Sequence, residues 1–201
     1  MGYDIITIGR EFGSGGHKIG QIIASRLEIP YYDKELLTLA AQRGEISEDK
    51  LSKHDEKKHN PYLYEVNYDG NNQVVKGESV ANTLYQLQKD IILEIGKTQQ
   101  AVIVGRCADA ILKSAGISTL SIFVAAPFEA RIKRTMALED LDEKTVVAMT
   151  KKKDKVRRAY YESRTGKKWG KPENYDMYFD TAEHDLNEIA DLIIKAYQGQ
   201  K

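Results

Sequence analysis

One cysteine, four prolines and one tryptophan are spread over 201 residues, and thirty basic side chains are matched by thirty acidic ones. Each scarcity excludes something. A lone Cys107 cannot close an internal disulfide, so stability must come from a packed core, as in a reducing compartment. Zero formal net charge removes bulk attraction to nucleic acid or to an anionic membrane surface, so any anion site must be local. No apolar run approaches the roughly 20 residues that cross a bilayer. No charged leader or cleavage site precedes the first apolar run. The expectation is a soluble, cytoplasmic protein without nucleic-acid or membrane partners, its oligomeric state left open.

What is present is the composition of a globular chain, 41% hydrophobic and 30% charged, read as one domain over 1–201. The organising stretch is 5–27, IITIGREFGSGGHKIGQIIASRL. A β-branched run (Ile5, Ile6, Thr7, Ile8) enters a turn with Gly9, Gly13, Gly15 and Gly16, then an amphipathic run with Ile19, Ile22, Ile23 and Leu27. That pattern predicts strand, glycine loop and helix. A loop with few side chains lets backbone N–H groups converge on a phosphate, and the helix behind it adds unpaired N–H groups and a positive dipole end. Gly13, Ser14, Gly15, Gly16, His17 and Lys18 are the candidate cradle; the competing reading is a glycine turn selected for tight packing. A regular phosphate-binding loop follows its last Gly with Lys and then Ser or Thr. Here His17 follows Gly16 and Lys18 comes one place late. A dinucleotide fingerprint fits poorly too, with Lys18 where its third Gly belongs.

The segment 29–32 (IPYY) reads as a short strand, with Pro30 at its start or edge. Asp33 then either caps a helix over 34–42 or faces the site at the strand's carboxyl end. From 45 to 76 the chain is polar, with a turn at Asp69, Gly70 and Asn71 that would join a loose hairpin of 64–68 with 73–75. So long an excursion reads as a lid or insertion. His54 and His59 lie in it as solvated residues without a metal-ligand partner set. A helix is expected over 78–96 and a buried strand over 101–104, closed by Gly105, with Arg106 at its carboxyl end. A second buried strand, 120–125, leads to Pro127 at a helix start. Arg131, Lys133 and Arg134 on that helix read as a solvated face in preference to phosphate ligands. A long basic helix follows over 142–163, then Gly166 and Gly170 around Trp169, a core or flap anchor. The last strand is 175–181 and the closing helix 186–197. Cys107 reads as a small buried packing residue, and His17 as either a phosphate donor or a packed helix-start residue.

Five apolar strands alternating with helices predict an α/β fold, a three-layer open parallel sheet. Ligands of such sheets collect beyond the strands' carboxyl ends. The glycine loop, Asp33, Arg106 and Ala125 all map there. An anion cradle, a separate arginine, a polar insertion and a basic flap suit two phosphorylated molecules held end to end.

The pieces ITIGREFGSGGHKIG, IPYYDKELL, VIVGRCADAIL, DKVRRAYY and WGKPENYDMYFDT together resemble the cytidylate-kinase-like family, P-loop relatives of the nucleoside monophosphate kinases, over nearly the whole chain. The resemblance implies a P-loop NTPase fold of the nucleoside monophosphate kinase type. It implies ATP as phosphoryl donor with Mg2+, and a nucleoside monophosphate or another small phosphorylated or hydroxylated acceptor. Gly13 to Lys18 would take the donor phosphates, Lys18 in a catalytic role. Arg106 would bind the acceptor monophosphate, and Asp154 with Arg157, spaced DxxR, would form a lid motif touching both nucleotides within a lid region 142–172. Arg158 and Arg164 are further lid candidates, and 45–76 would be the acceptor-binding insertion. The chain departs from the family's pattern at Gly16, where relatives with a regular loop carry lysine, at Cys107, where cytidylate kinase has an acidic residue, and at Thr150, where a basic one is expected. Those departures carry the alternative reading, a catalytically impaired nucleotide-binding sensor or partner-binding protein.

Overall fold

The computed structural model describes residues 4–57, 79–182 and 184–199; the expected hairpin at 64–75 and His59 lie outside them. The described strands are β1 (Ile5–Arg10), β2 (Tyr31–Tyr32), β3 (Ala101–Val104), β4 (Thr119–Ala125) and β5 (Met177–Asp180). They form one sheet in the order β2-β3-β1-β4-β5, every pairing parallel. Around it lie α1 (Gly16–Leu27), α2 (Glu35–Gly44), α3 (Glu48–Ser52), α4 (Val80–Thr98), α5 (Ala108–Ser114), α6 (Phe128–Glu139), α7 (Glu143–Thr165) and α8 (Leu186–Gly199).

The continuous apolar run of β3 is explained by two cores. Ala101 and Ile103 pack on one side with Leu36 of α2, Leu84 and Ile92 of α4 and Leu112 of α5. Val102 and Val104 pack on the other with Ile19 and Ile23 of α1 and Ile189 and Ile193 of α8. A strand covered on both faces has no position for a polar side chain, which is why alternation is absent there. Edge strand β5 keeps alternation, with Met177 and Phe179 turned inward and its other residues exposed.

Local chemistry sets the helix ends. The Ser79 hydroxyl accepts the Asn82 N–H at 3.3 Å and starts α4; Asp142 accepts the Thr145 N–H at 3.0 Å and starts α7. Gly166, at φ +68°, ends α7 in the left-handed conformation glycine adopts freely. β2 is shorter than the expected 29–32, because Pro30 contributes only its carbonyl, which accepts the Val102 N–H at 2.9 Å. α3 folds a turn of helix within the polar 45–76 stretch, seated by the buried Leu51. Among the described residues no helix is long and apolar enough to cross a membrane.

Candidate active site

The chain leaves central strand β1 at Arg10 and turns through 11–15; α1 opens at Gly16, with Gly15 before it at φ +89°. Gly13, at φ +76°, also lacks room for a side chain, since a Cβ there would lie 2.8 Å from Thr135 Oγ1 and 2.9 Å from the Arg131 carbonyl. Tight packing is therefore one reason for the glycines. The loop carbonyls supply the other. Arg131 Nη1 donates to Phe12 O at 3.0 Å, Arg134 Nη1 to Gly13 O at 2.8 Å, and Thr181 Oγ1 to Ser14 O at 2.7 Å. In a trans peptide the N–H opposes the carbonyl, so the amides of Gly13 and Gly15 point to the other side of the loop, while the Ser14 N–H donates to Glu11 O at 3.4 Å. The unpaired first-turn amides and positive end of α1 face the loop as well.

Arg131 and Arg134 are thus not a solvated face. Arg131 is buried, donating also to Ala126 O at 3.0 Å and to Asp154 Oδ2 at 2.6 Å. Lys133, on the far side of α6, is exposed as expected. Charge alone suggests a solvated face, and spacing does not show that α6 packs directly on the loop.

The second half of the site begins where β3 ends. Gly105, Arg106 and Cys107 follow one another at φ +80°, +52° and +58°. For the two non-glycine residues this costs about 1–2 kcal/mol each, a local strain of the sort that clusters at working sites. The turn folds Arg106 back beneath the sheet edge. Its Nη1 donates to Val104 O at 3.2 Å and in a short bond to Asp33, and its Nη2 donates to Asp55 Oδ2 at 2.7 Å. Asp33 therefore faces the site; Lys34 takes the cap position of α2. Arg10 Nη2 reaches Asp33 at 3.3 Å and Arg10 Nη1 reaches Glu56 at 3.3 Å. Glu56 also accepts the Arg106 backbone N–H at 3.4 Å and lies 3.5 Å from Arg157 Nε. Three guanidinium groups and three carboxylates, Asp33, Asp55 and Glu56, thus interleave in one pocket.

Burial pushes Asp33 and Glu56 upward, but Arg10 and Arg106 outweigh it and hold both carboxyls below the usual carboxylate range. Burial also pulls Arg106 down, and Glu56, Asp55 and Asp33 more than reverse that. Arg157 is different: burial and the neighbouring Arg10 bring it down to about 10, with Glu56 and Asp154 offsetting only part. Its charge is thus only partly offset by the protein's own acids. His17 Nδ1 lies 2.9 Å from Asp33 Oδ2 and 2.8 Å from the Tyr31 hydroxyl. An ionised Asp33 carries no proton, so Nδ1 does, and His17 orients the carboxylate.

Asp154 and Arg157 lie three apart on one face of α7. Asp154 Oδ1 accepts the Phe12 N–H at 2.8 Å, and Arg157 Nη1 donates to Arg10 O at 3.4 Å, so the DxxR pair touches both halves of the site. Arg158 is exposed, its guanidinium 5.6 Å from the Trp169 ring centre. Arg164 ties α7 to α4 through Asn82 Oδ1 at 2.8 Å and Ala81 O at 3.1 Å. Lys18 is exposed on the first turn of α1. Ser14 is buried and its hydroxyl donates to Glu11 O at 2.9 Å, turned back into the loop. Burial pushes the Cys107 thiol up, as suits a packing residue.

Between the arginines and an aromatic wall of Tyr160, Tyr161, Trp169 and Tyr175 lies a cavity of about 30 Å³. The buried hydroxyls of Thr7 and Tyr160, which line it, and Arg106 Nε have no hydrogen-bond partner among the described residues. Among those residues no cluster of acidic, His or Cys side chains could hold a metal ion. Sequence reasoning missed Arg10, Asp55 and Glu56. The available signal for Arg10 was a cation ending an otherwise buried central strand; for Asp55 and Glu56, inside a charged run, there was none.

A parallel sheet whose central strand runs through a glycine loop into a helix, with arginines gathered at the same edge, is the fold of the P-loop kinases. The chain matches the model of the cytidylate kinase-like family over residues 5–183, and it belongs to that family. No curated protein matches it. Among solved structures, an uncharacterized protein from Eubacterium ventriosum ATCC 27560 is 31% identical, with TM-score 0.71, over 96% of this chain and 98% of that one. The shikimate kinase of Bacteroides thetaiotaomicron is 12% identical, with TM-score 0.53, over 97% and 96%. That of Acinetobacter baumannii, in complex with shikimate, is 14% identical, with TM-score 0.53, over 99% and 95%. At such identities these kinases share the fold alone.

Proposed function

We propose that this protein transfers the γ-phosphoryl group of ATP to a small acceptor that already carries a phosphate, a nucleoside monophosphate being the acceptor class the site fits best. One observation carries this reading. Three separate segments converge on the single carboxylate of Glu56: Arg10 at the end of β1 and Arg157 on α7 bring guanidinium groups to it, and Arg106 after β3 donates its main-chain N–H while its guanidinium pairs with Asp33 and Asp55 alongside. Planar guanidinium forks grip phosphate oxygens in the same way. Arg106 Nε supplies a further buried donor.

The phosphates of ATP sit on the main-chain amides of Gly13, Gly15, Gly16 and His17, the Ser14 N–H being taken by Glu11 O. Magnesium has no ready-made ligand set among the described residues, and Ser14 is turned away. The bond from the γ-phosphorus to the β–γ bridging oxygen breaks, its electron pair leaves on ADP, and an acceptor oxygen forms the new P–O bond. Positioning and charge do most of the work in such transfers. An acceptor phosphate attacks through an oxygen that is already anionic, and no base is needed. An alcohol would need one, and the nearby carboxyls of Asp33 and Glu56 are held low and are weak bases. α7 acts as a lid whose Asp154 fixes the donor loop while Arg157 reaches the acceptor, and residues 45–76 form the acceptor-side insertion that carries Asp55 and Glu56.

The test is a coupled ADP-release screen with Mg2+ over nucleoside monophosphates and small metabolites. Turnover on a monophosphate is expected, with acceptor KM raised about 100-fold in Arg106→Ala, roughly 3 kcal/mol of lost charge pairing. No turnover on any acceptor, or an Arg106→Ala variant equal to wild type, overturns the reading. The sensor alternative draws on the missing side chain at Gly16; it predicts thermal stabilisation by ATP without consumption.

A further inference from the structure

Gly16 opens α1 at the place where a regular phosphate-binding loop carries its lysine. The obstacle to a side chain there is spatial. A Cβ at Gly16 would lie 2.7 Å from Arg10 Cβ and 3.2 Å from Val124 Cβ, so the stem of Arg10 already fills that space. From there the side chain crosses to the other half of the site. Its guanidinium reaches Asp33 and Glu56, both at 3.3 Å, and lies so close over Gly105 that a Cβ there would sit 2.1 Å from Arg10 Nη1. Arg10 is 8% exposed, on the central strand, whereas Lys18, two places beyond Gly16, is exposed on α1.

A buried cation with its stem against the donor loop and its head beside the acceptor arginine spans the gap across which a phosphoryl group would move. Resting on the kinase reading above, the geometry points to Arg10 as the replacement for the loop lysine, binding the oxygens of the phosphoryl group in transit. Asp33 and Glu56 hold the guanidinium extended in that direction. Arg10 keeps its proton throughout, since guanidinium remains charged. It contributes charge to the P–O bond exchange already described and takes no part in proton transfer. Lysine at 16 and arginine at 10 are two solutions to one requirement, and they exclude each other by volume.

That exclusion supplies the test. Wild type, Arg10→Ala, Arg10→Lys, Lys18→Ala, Gly16→Lys and the double variant Arg10→Gly/Gly16→Lys are compared for MgATP affinity by calorimetry, turnover on the accepted monophosphate, and melting temperature. Arg10→Ala is expected to lower kcat by about 100-fold or more, and Lys18→Ala by less than about tenfold. Arg10→Lys, retaining the charge on a shorter reach, should fall between. Gly16→Lys alone should lower the melting temperature by about 4 °C or more, because the new side chain meets the Arg10 stem. Because the closest contact is with the Arg10 Cβ, at 2.7 Å, glycine at 10 is what makes room, and the double variant should regain about tenfold of the kcat lost in Arg10→Ala. A merely structural role for Arg10 gives no such recovery.

Turnover within about threefold of wild type in Arg10→Ala, a larger loss in Lys18→Ala, or a double variant that folds like Arg10→Ala and recovers nothing overturns this inference and leaves the kinase reading standing. A wild type that binds no MgATP overturns both. If wild type binds MgATP without turnover, affinity becomes the readout: about tenfold weaker binding in Arg10→Ala supports the assignment, and unchanged binding overturns it.

Discussion

Asp154 accepts the main-chain N–H of Phe12 at 2.8 Å, which fastens a turn of α7 to the glycine loop 142 residues earlier in the chain. The same carboxylate pairs with Arg131 at 2.6 Å, and Arg131 donates back to Phe12 O at 3.0 Å. Both polar groups of the Phe12 main chain are thereby held by one buried ion pair. Asp154→Ala frees the N–H and leaves Arg131 with Glu11 at 3.4 Å as its nearest acid. Losing one partner of a buried pair costs about 3 kcal/mol, or roughly 6–12 °C of melting temperature at this chain length. Asp154→Asn keeps an acceptor for Phe12 and should lose less. Thermal melts with and without MgATP check this; equal melting of all three proteins would show that the triangle does not hold the loop.

The reach of sequence reasoning can be judged from these residues. β3 was legible to the residue, because four apolar side chains in a row admit only a strand buried on both faces. Asp33 and Arg106 were legible as sheet-edge residues, since topology alone brings carboxyl ends together. The partners of those residues were not. Glu56 comes from a polar stretch whose periodicity is weak, and only the fold carries it back over β1 and β3. Arg131 had the composition of a surface residue, and its burial follows from how α6 seats against the loop. Asp154 is singled out only by resemblance to the family's lid motif, and its attachment to Phe12 has no counterpart in the sequence.

Glu56 stands among the cations that a phosphate would engage. A monophosphate seated there must displace its carboxylate from Arg10 and Arg157. Glu56→Gln keeps the shape and removes the competing charge. The variant should melt lower than wild type in buffer, because three guanidinium groups then share two acids. It should also bind the accepted monophosphate about tenfold more tightly, roughly 1.4 kcal/mol. Calorimetry decides; weaker binding in Glu56→Gln would mean that the carboxylate helps to hold the ligand.

Acid should undo the same cluster in a defined window. In the unfolded chain Asp33 and Glu56 titrate near about 4, whereas in the folded protein both are held lower by Arg10 and Arg106. The folded state therefore binds fewer protons. Its ion pairs stabilise fully above about pH 5, and that stabilisation drains away as pH falls below about 4 toward the folded values. Urea unfolding from about pH 7 to about pH 3 should show stability falling with pH. The acid limb should be shallower in Glu56→Gln, which lacks one of the two groups. An identical limb would place the loss in other carboxyls.

Arg106 and Arg157 meet the same carboxylates under opposite electrostatic conditions, and that difference should separate folding from binding. Arg106 is raised by Glu56, Asp55 and Asp33, so the fold depends on its charge. Arg106→Ala leaves Asp33 with Arg10 and His17 and, among the described residues, Asp55 with the Gln88 amide alone, and should cost about 3 kcal/mol of stability along with acceptor binding. Arg157 is depressed by burial and by Arg10, and its nearest acid is 3.5 Å away. Arg157→Ala removes a strained cation together with its attraction to Glu56, and the two effects oppose each other. The melting temperature should move by no more than about 2 °C, while kcat/KM for the acceptor falls by about 100-fold. Melts and initial rates on the two variants measure the split. A large drop in melting temperature for Arg157→Ala with little change in rate would make Arg157 a strut of the fold and remove it from the phosphate site.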